Sequence, residues 1–207
     1  MEVVGRPSHS TEDPAPGRHR AAAVADPGPL GLAAFAMTTF FLSAVNAHVV
    51  PASVEVGVLG LALFYGGIAQ LFAGMWEFIK GNTFGAVAFC SYGAFWLSFW
   101  YLLSQGGTEA MGSDKGTGVG LFLLGWTIFT TYMFVCSIRT NRILAAVFSA
   151  LTLTFLFLTL GSFSASATLT QLGGWLGLVT AVLAWYGSMA GVMNATADRP
   201  VLPIFTR

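Results

Sequence analysis

The amino-acid sequence predicts an all-α, polytopic membrane protein built as a bundle of six transmembrane helices. Hydrophobic residues make up 55% of the 207-residue chain and charged residues only 9%, whereas a soluble domain averages about 25% charged residues. Long segments without any charge separate the charged positions, and several reach the ~20 apolar residues that span a bilayer. The net charge is zero and no basic patch occurs, which argues against nucleic-acid binding.

The charge-free segments place the helices in order along the chain. The stretch from Ile143 to Ala197 carries no charge and is long enough for two helices, with the polar segment 162–171 as the turn between them. Hydropathy identifies such helices reliably, because every backbone polar group inside a bilayer must be satisfied within the segment. The six helices are expected at about residues 30–50, 56–77, 83–103, 118–138, 143–161 and 171–192.

The chain ends outside this bundle are predicted to be tails. Residues 1–25 are rich in proline, alanine, glycine and charge, a composition typical of disorder, and they lack the apolar stretch of a signal peptide. We therefore expect a disordered N-terminal tail at 1–25, a transmembrane domain at 26–195 and a C-terminal tail at 196–207.

The distribution of Lys and Arg predicts the orientation in the cell membrane. In the predicted six-helix topology, Lys115 is the one basic residue on its side of the membrane, and it lies beside Glu109 and Asp114. Because cytoplasmic loops carry an excess of Lys and Arg, both termini are predicted to be cytoplasmic. The other eight basic residues fall on that side, namely Arg6, Arg18, Arg20, Lys80, Arg139, Arg142, Arg199 and Arg207.

Nothing in the sequence predicts an enzyme, a cofactor or a metal site. No predicted helix carries a charge near its centre, and no set of His, Ser and acidic residues has catalytic spacing. Cys90 and Cys136 both lie in apolar runs, where a free cysteine behaves as a small hydrophobe. His48 lies near the end of the first helix, and we interpret it as a structural residue, with sensing of external pH as the alternative.

One face of the first helix is polar. Thr39, Ser43 and Asn46 follow Phe35 at spacings of four, eight and eleven residues, and at ~100° per residue they fall within roughly a quarter of a turn. Two interpretations remain open from these residues alone. The hydroxyls and the amide form hydrogen bonds with neighbouring helices, or they line a path for a small polar solute.

Four motifs resemble those of the acetate uptake transporter family, of the succinate–acetate permease type. They are FYGGIAQLFAGMWE at 64–77, GNTFG at 81–85, SYGAFWL at 91–97 and DPGPLGL at 26–32. The last corresponds to the family's NPAPLGL and departs from it at Asp26, which replaces Asn, and at Gly28, which replaces Ala. The motifs stand in the family's order, and the resemblance covers about residues 26–203.

The resemblance implies transport of acetate and related short carboxylates, with succinate as a candidate substrate. Members of the family are described both as proton-linked transporters and as anion channels, and both modes remain open. The resemblance also implies a homohexamer with a channel-like path in each protomer. Two alternatives from other classes are a channel for a neutral solute such as ammonia, urea or water, and a membrane scaffold or sensor without transport.

The resemblance also implies roles for particular residues. Phe35, Tyr92 and Leu151 correspond to an apolar constriction of the path, and Gln70, from the AQ motif, to a position on the substrate path. Glu77 is interpreted as an interfacial partner of Lys80, with a proton-linked group at the pore mouth as the alternative. Asn82 or Thr83 is expected to cap the third helix. Asp26 adds a negative charge at the start of the first helix, which weakens an anion site there.

Overall fold

The structure, a computed structural model, describes residues 24–197 and 199–205. Within these ranges the chain forms helices and no strand, which confirms the predicted all-α class, while most of the expected N-terminal tail lies outside them. Six helices are long and apolar enough to cross a membrane. They are α1 (Gly28–Asn46), α2 (Ala52–Lys80), α3 (Thr83–Ser104), α4 (Gly112–Ser137), α5 (Arg142–Ser164) and α6 (Ala167–Thr196).

Several helix boundaries differ from the prediction by three to six residues, and two of the differences have a visible local cause. Helix α1 stops at Asn46 rather than near residue 50, and His48 follows with a positive φ of 58°, a conformation that ends a right-handed helix. The predicted polar turn at 162–171 shrinks to Ala165, also at positive φ, and Ser166. The Ser166 hydroxyl accepts a hydrogen bond from the Leu169 N–H and caps α6, so polar residues expected in the loop lie in helices.

The helices form a ring in which most neighbours pack directly. Helix α1 packs against α2 and α6, α5 packs between α4 and α6, and α3 packs against α2. Helices α3 and α4 meet mainly through side chains, with the rings of Phe95 and Phe122 stacked at a centroid distance of 5.6 Å. The short helix Gly107–Ala110, which lies against Leu102 of α3, also connects α3 to α4. This arrangement leaves the interior of the ring available for cavities.

Small and hydroxylated residues hold neighbouring helices together. A Cβ atom on Gly174 of α6 would overlap the backbone of Ala47 at the end of α1, so only glycine permits this approach. The Thr127 and Thr159 hydroxyls lie 3.0 Å apart between α4 and α5. Such hydrogen bonds average about 0.6 kcal/mol in a membrane, so close packing contributes the larger part of the stability.

Helix α2 is wound irregularly, which the sequence did not indicate. It begins with a 3-10 turn at Ala52–Glu55, and residues Leu61–Ala69 form a π-helix. A π-helical segment inserts residues into the helical repeat and turns the following residues to a new face. After this segment Gln70, Ala73, Gly74 and Glu77 are all buried on one face of the remaining turns. The π-helix therefore sets which side of α2 points into the ring.

The segment after α6 folds back onto the bundle. The Asn194 side-chain oxygen accepts hydrogen bonds from the N–H groups of Val201 at 2.7 Å and Leu202 at 2.9 Å. The Tyr186 hydroxyl donates to the Pro203 carbonyl oxygen at 2.8 Å. Part of the predicted C-terminal tail is thus attached to the bundle, close to the start of α1 and the ends of α2 and α6. This side of the bundle is called the terminal end below.

Candidate functional site: two cavities along one path

Two cavities lie inside the ring and share part of their walls. The terminal-end cavity has a volume of about 240 Å³, and the opposite-end cavity one of about 280 Å³. Phe35 of α1 and Leu151 of α5 line both cavities. The side chains of these two residues therefore lie between the two cavities.

The three residues of the predicted constriction lie at or beside this shared wall. Their side chains are almost fully buried, with exposed fractions of 5% for Phe35, 3% for Tyr92 and 3% for Leu151. The Phe35 and Tyr92 rings are in contact, with centroids 5.6 Å apart, and Tyr92 lines the terminal-end cavity. Residues from three helices thus meet at one level, and their role as a constriction remains a prediction.

The Tyr92 hydroxyl has a partner that the sequence analysis did not identify. Its oxygen lies 2.9 Å from the Thr130 hydroxyl of α4, and either group can be the donor. If Thr130 donates, the Tyr92 proton is free for a solute in the cavity, and if Tyr92 donates, it is not. The pair therefore links α3 to α4 and also allows a hydrogen bond into the path.

The polar face of α1 lines the opposite-end cavity. Thr39, Ser43 and Asn46 all contribute to its wall, which agrees with the interpretation of this face as part of a path. Trp96 of α3 lines the same cavity with an exposed fraction of 2%, and its indole N–H has no hydrogen-bond partner among the described residues. Trp96 belongs to the SYGAFWL motif at 91–97, but no role was predicted for it, so this donor was missed.

Gln70 and Glu77 project from α2 into the terminal-end cavity. Both side chains are only 1% exposed. Neither the amide nitrogen nor the amide oxygen of Gln70 has a hydrogen-bond partner in the described part of the chain, and the same holds for Oε2 of Glu77. Buried polar groups are nearly always paired, so these atoms have unused hydrogen-bonding capacity beside the terminal-end cavity.

The ion pair expected between Glu77 and Lys80 is present, but Glu77 is not the nearest partner of the lysine. The Lys80 ammonium lies 2.7 Å from Oδ1 of Asp26 but 3.9 Å from Oε2 of Glu77. The same Asp26 oxygen accepts a hydrogen bond from the Gly28 N–H at 2.9 Å. Glu77 is also buried rather than interfacial, because the turn after α2 and the start of α1 cover it. The expected cap of α3 is confirmed, with Asn82 accepting from the Gly85 N–H.

Charged residues also mark the opposite-end cavity. Glu55 at the start of α2 and Lys115 at the start of α4 both line it. The sequence analysis used these residues only to locate helices and to assign orientation. Each of these charges stands alone between apolar segments. This isolation could have identified them as cavity residues, because a charge at a helix end is free to face the opening of a cavity. His48 is exposed and lines neither cavity.

The fold is that of a multi-pass membrane protein with internal cavities. Six helices surround two cavities, whose mainly apolar walls carry a few polar groups and share Phe35 and Leu151. The chain belongs to the GPR1/FUN34/yaaH family, which matches residues 10–205.

Several members of the family are similar over most of this chain. The succinate-acetate/proton symporter SatP of Escherichia coli K12 is 39% identical over 181 residues, which cover 87% of this chain and 95% of the symporter. Acetate permease A of Emericella nidulans is 40% identical over 195 residues, covering 87% of this chain and 65% of the permease. A solved structure of the bacterial acetate channel SatP superposes with a TM-score of 0.82 at 39% identity, over 87% of this chain and 99% of that one.

Yeast relatives are longer than the matched part of this chain. Accumulation of dyads protein 2 of Saccharomyces cerevisiae is 46% identical over 174 residues. Ammonia transport outward protein 2 of the same organism is 42% identical over 174 residues. The match covers 81% of this chain but only 61% of the length of each of these two proteins.

Proposed function

We propose that the protein conducts acetate and related short carboxylates, including succinate, across the cell membrane. The observation that carries the proposal is the pair of cavities that share Phe35 and Leu151 and that each carry a few polar groups on a mainly apolar wall. The names of the E. coli symporter, the E. nidulans permease and the bacterial channel support the choice of substrate. No catalytic step is part of this proposal.

Neutral donors replace water around the carboxylate along the path. Moving a bare carboxylate out of water is very costly unless hydrogen bonds compensate it. Thr39, Ser43 and Asn46 offer such groups in one cavity, and Gln70 and Tyr92 offer them in the other. The solute exchanges the hydrogen-bonding groups of one cavity for those of the other at the apolar level, where Phe35 and Leu151 limit its size.

The proposal is tested by flux of labelled acetate into liposomes that contain only this protein. Uptake above that of empty liposomes supports it, and equal uptake contradicts it. Repeating the assay with and without an imposed pH gradient separates proton-linked transport from a passive channel. Gradient-driven uptake that is faster than in empty liposomes under the same gradient indicates coupling, for which Glu77, buried in the terminal-end cavity, is the proposed proton-linked group.

A second candidate function is conduction of ammonia, which the name of one yeast relative favours. A neutral solute needs no compensation for charge, so the predominantly apolar wall at Phe35 and Leu151 presents a smaller barrier to it. The same liposomes distinguish the two functions when internal pH is followed after addition of ammonium or acetate. The response is the change in internal pH beyond that of empty liposomes. A response to ammonium alone assigns the second function, and no response to either solute leaves a scaffold or sensor.

The proposal includes an orientation with both termini in the cytoplasm. Lys80, Arg139, Arg142 and Arg199 lie at the terminal end, and Lys115 lies at the opposite end, which supports this orientation under the positive-inside rule. Cysteines introduced at positions 20 and 205 are expected to be protected from an impermeant thiol reagent in intact cells. Labelling of either position from outside contradicts the orientation.

We also propose a homohexamer with one path per protomer, following the family resemblance. Many large apolar side chains face outward, including Phe64, Phe72 and Trp76 of α2, and neighbouring protomers or lipid cover them in the membrane. Native mass spectrometry in mild detergent is expected to show six copies. A monodisperse monomer under those conditions contradicts this assembly.

A further inference from the structure

We infer that Asp26 controls the preference between monocarboxylates and dicarboxylates by neutralising Lys80 at the terminal-end mouth of the path. The inference rests on the proposed function and concerns a position where this chain departs from the family's motif. It assigns Asp26 as a specificity-determining residue that acts through Lys80.

The contacts of Asp26 hold its carboxylate against the lysine. Its Oδ1 atom accepts a hydrogen bond from Lys80 Nζ at 2.7 Å and another from the Gly28 N–H at 2.9 Å. Asp26 and Lys80 are separated by 54 positions in the chain, and the fold of α1 against α2 brings them together. Both residues line the terminal-end cavity, so their charges act on any solute that passes there.

Lys80 is the one cation that lines this cavity among the described residues. Arg139, Arg142 and Arg199 belong to the same end but do not contribute to its wall. A free ammonium at this place attracts carboxylates, whereas an ammonium paired with Asp26 presents almost no net charge. Asp26 therefore makes the electrostatic potential at the mouth less favourable to anions.

Glu77 belongs to the same group of charges and sets the net charge that Asp26 changes. Its Oε2 atom lies 3.9 Å from the Lys80 ammonium and lacks a hydrogen-bond partner in the described part of the chain. With Asp26 present, the ammonium is shared between two carboxyl groups. Without the Asp26 charge, the ammonium balances Glu77 and the mouth becomes more attractive to anions. Coulomb energy is proportional to the charge of the ligand, so succinate gains twice as much free energy as acetate.

The experiment measures initial rates of labelled acetate and succinate in proteoliposomes at neutral pH, where both acids are fully charged. In Asp26→Asn the amide oxygen is still able to accept from the Gly28 N–H, so the turn is preserved while the charge is lost. We expect acetate flux to rise about twofold and succinate flux about fourfold, the square of the acetate change, because the second charge doubles the Coulomb energy.

Four further measurements separate charge from structure. Asp26→Glu keeps the charge and is expected to keep the wild-type ratio of succinate to acetate. Lys80→Gln is expected to lower succinate flux more than acetate flux. Glu109→Gln removes a carboxylate that lines neither cavity and is the matched control with an unchanged ratio. At about 1 M salt, where the Debye length is about 3 Å, the effect of Asp26→Asn is expected to shrink.

Each result supports or overturns the inference. An unchanged ratio in Asp26→Asn, an equal rise for both acids, or an effect that does not depend on salt overturns it. Loss of flux in both Asp26→Asn and Asp26→Glu also overturns it, since the residue then acts through structure. Failure of the wild-type protein to carry either acid is a different outcome, because it refutes the proposed function itself.

Discussion

Replacing Gln70 by leucine is expected to stabilise the protein while it reduces transport. The amide of Gln70 is 1% exposed, and neither its nitrogen nor its oxygen has a partner among the described residues. Each buried polar group without a hydrogen bond costs about 1–3 kcal/mol. Leucine has a similar shape and no polar atoms, so Gln70→Leu removes both penalties. A residue that lowers stability in this way is expected where the solute supplies the missing hydrogen bonds.

The size of the effect follows from the two unpaired atoms. Their summed penalty is about 2–6 kcal/mol in a soluble protein, and it is smaller in a membrane because the unfolded state also finds polar partners. We expect the free energy of unfolding to rise by about 1–3 kcal/mol. For a chain of this size about 1 kcal/mol shifts the melting temperature by about 2–4 °C, so a rise of several degrees is expected.

The assay compares thermal unfolding in detergent with acetate flux in liposomes for the same preparations. Acetate is expected to raise the melting temperature of the wild-type protein, because a ligand stabilises the state that binds it, and to have little effect on Gln70→Leu. Gln171→Leu is the matched control. The Gln171 side-chain nitrogen donates to the Ala47 carbonyl oxygen at 3.2 Å, so the same substitution there is expected to lower the melting temperature.

Two outcomes would refute this reasoning. A lower melting temperature for Gln70→Leu would mean that the amide is hydrogen-bonded in the membrane and holds the bundle together. Unchanged acetate flux in a stabilised Gln70→Leu protein would remove the residue from the path and leave it as a packing defect.

Three further predictions follow from other contacts. Leu151→Ala shortens a side chain that both cavities share and is expected to admit lactate alongside acetate in liposome flux, whereas Leu153→Ala, on an exposed face of the same helix, leaves the selectivity unchanged. Gly174→Val forces a side chain into the α1 backbone and is expected to lower the free energy of unfolding by about 1–3 kcal/mol, as overpacking does. The control Gly125→Val meets open space and leaves the melting temperature nearly unchanged. Asn194→Ala removes the hydrogen bonds to residues 201 and 202 and is expected to speed amide hydrogen exchange there by at least tenfold, and equal exchange rates would contradict that role.

Much of the candidate site was accessible from the sequence, but its contacts were not. The polar face of α1 was predicted from helical spacing, and its residues do line one cavity. Phe35, Tyr92 and Leu151 were brought together only by the family resemblance. The Thr130 hydroxyl beside Tyr92 was missed, because one threonine in an apolar helix carries no signal of its partner.

The interpretation of Glu77 shows what reasoning from local spacing leaves out. Glu77 and Lys80 stand three residues apart on one helix, a spacing that favours an ion pair. In the structure Lys80 is nearer to Asp26, which arrives from the start of α1. The π-helical segment of α2 also decides that Gln70 and Glu77 face the interior, and no simple periodicity in the sequence predicts that winding.

The sequence by itself determined the membrane class, the number of helices and their order. It does so because a bilayer offers the backbone no hydrogen bonds, so each charge-free apolar segment of sufficient length must become a helix. Only the tertiary structure decided which side chains share a cavity, which ones are left without partners, and where the apolar level lies. These properties depend on how helices distant in sequence pack, and packing at that scale is governed by side-chain shape and close approaches such as that of Gly174 to Ala47, which hydropathy does not encode.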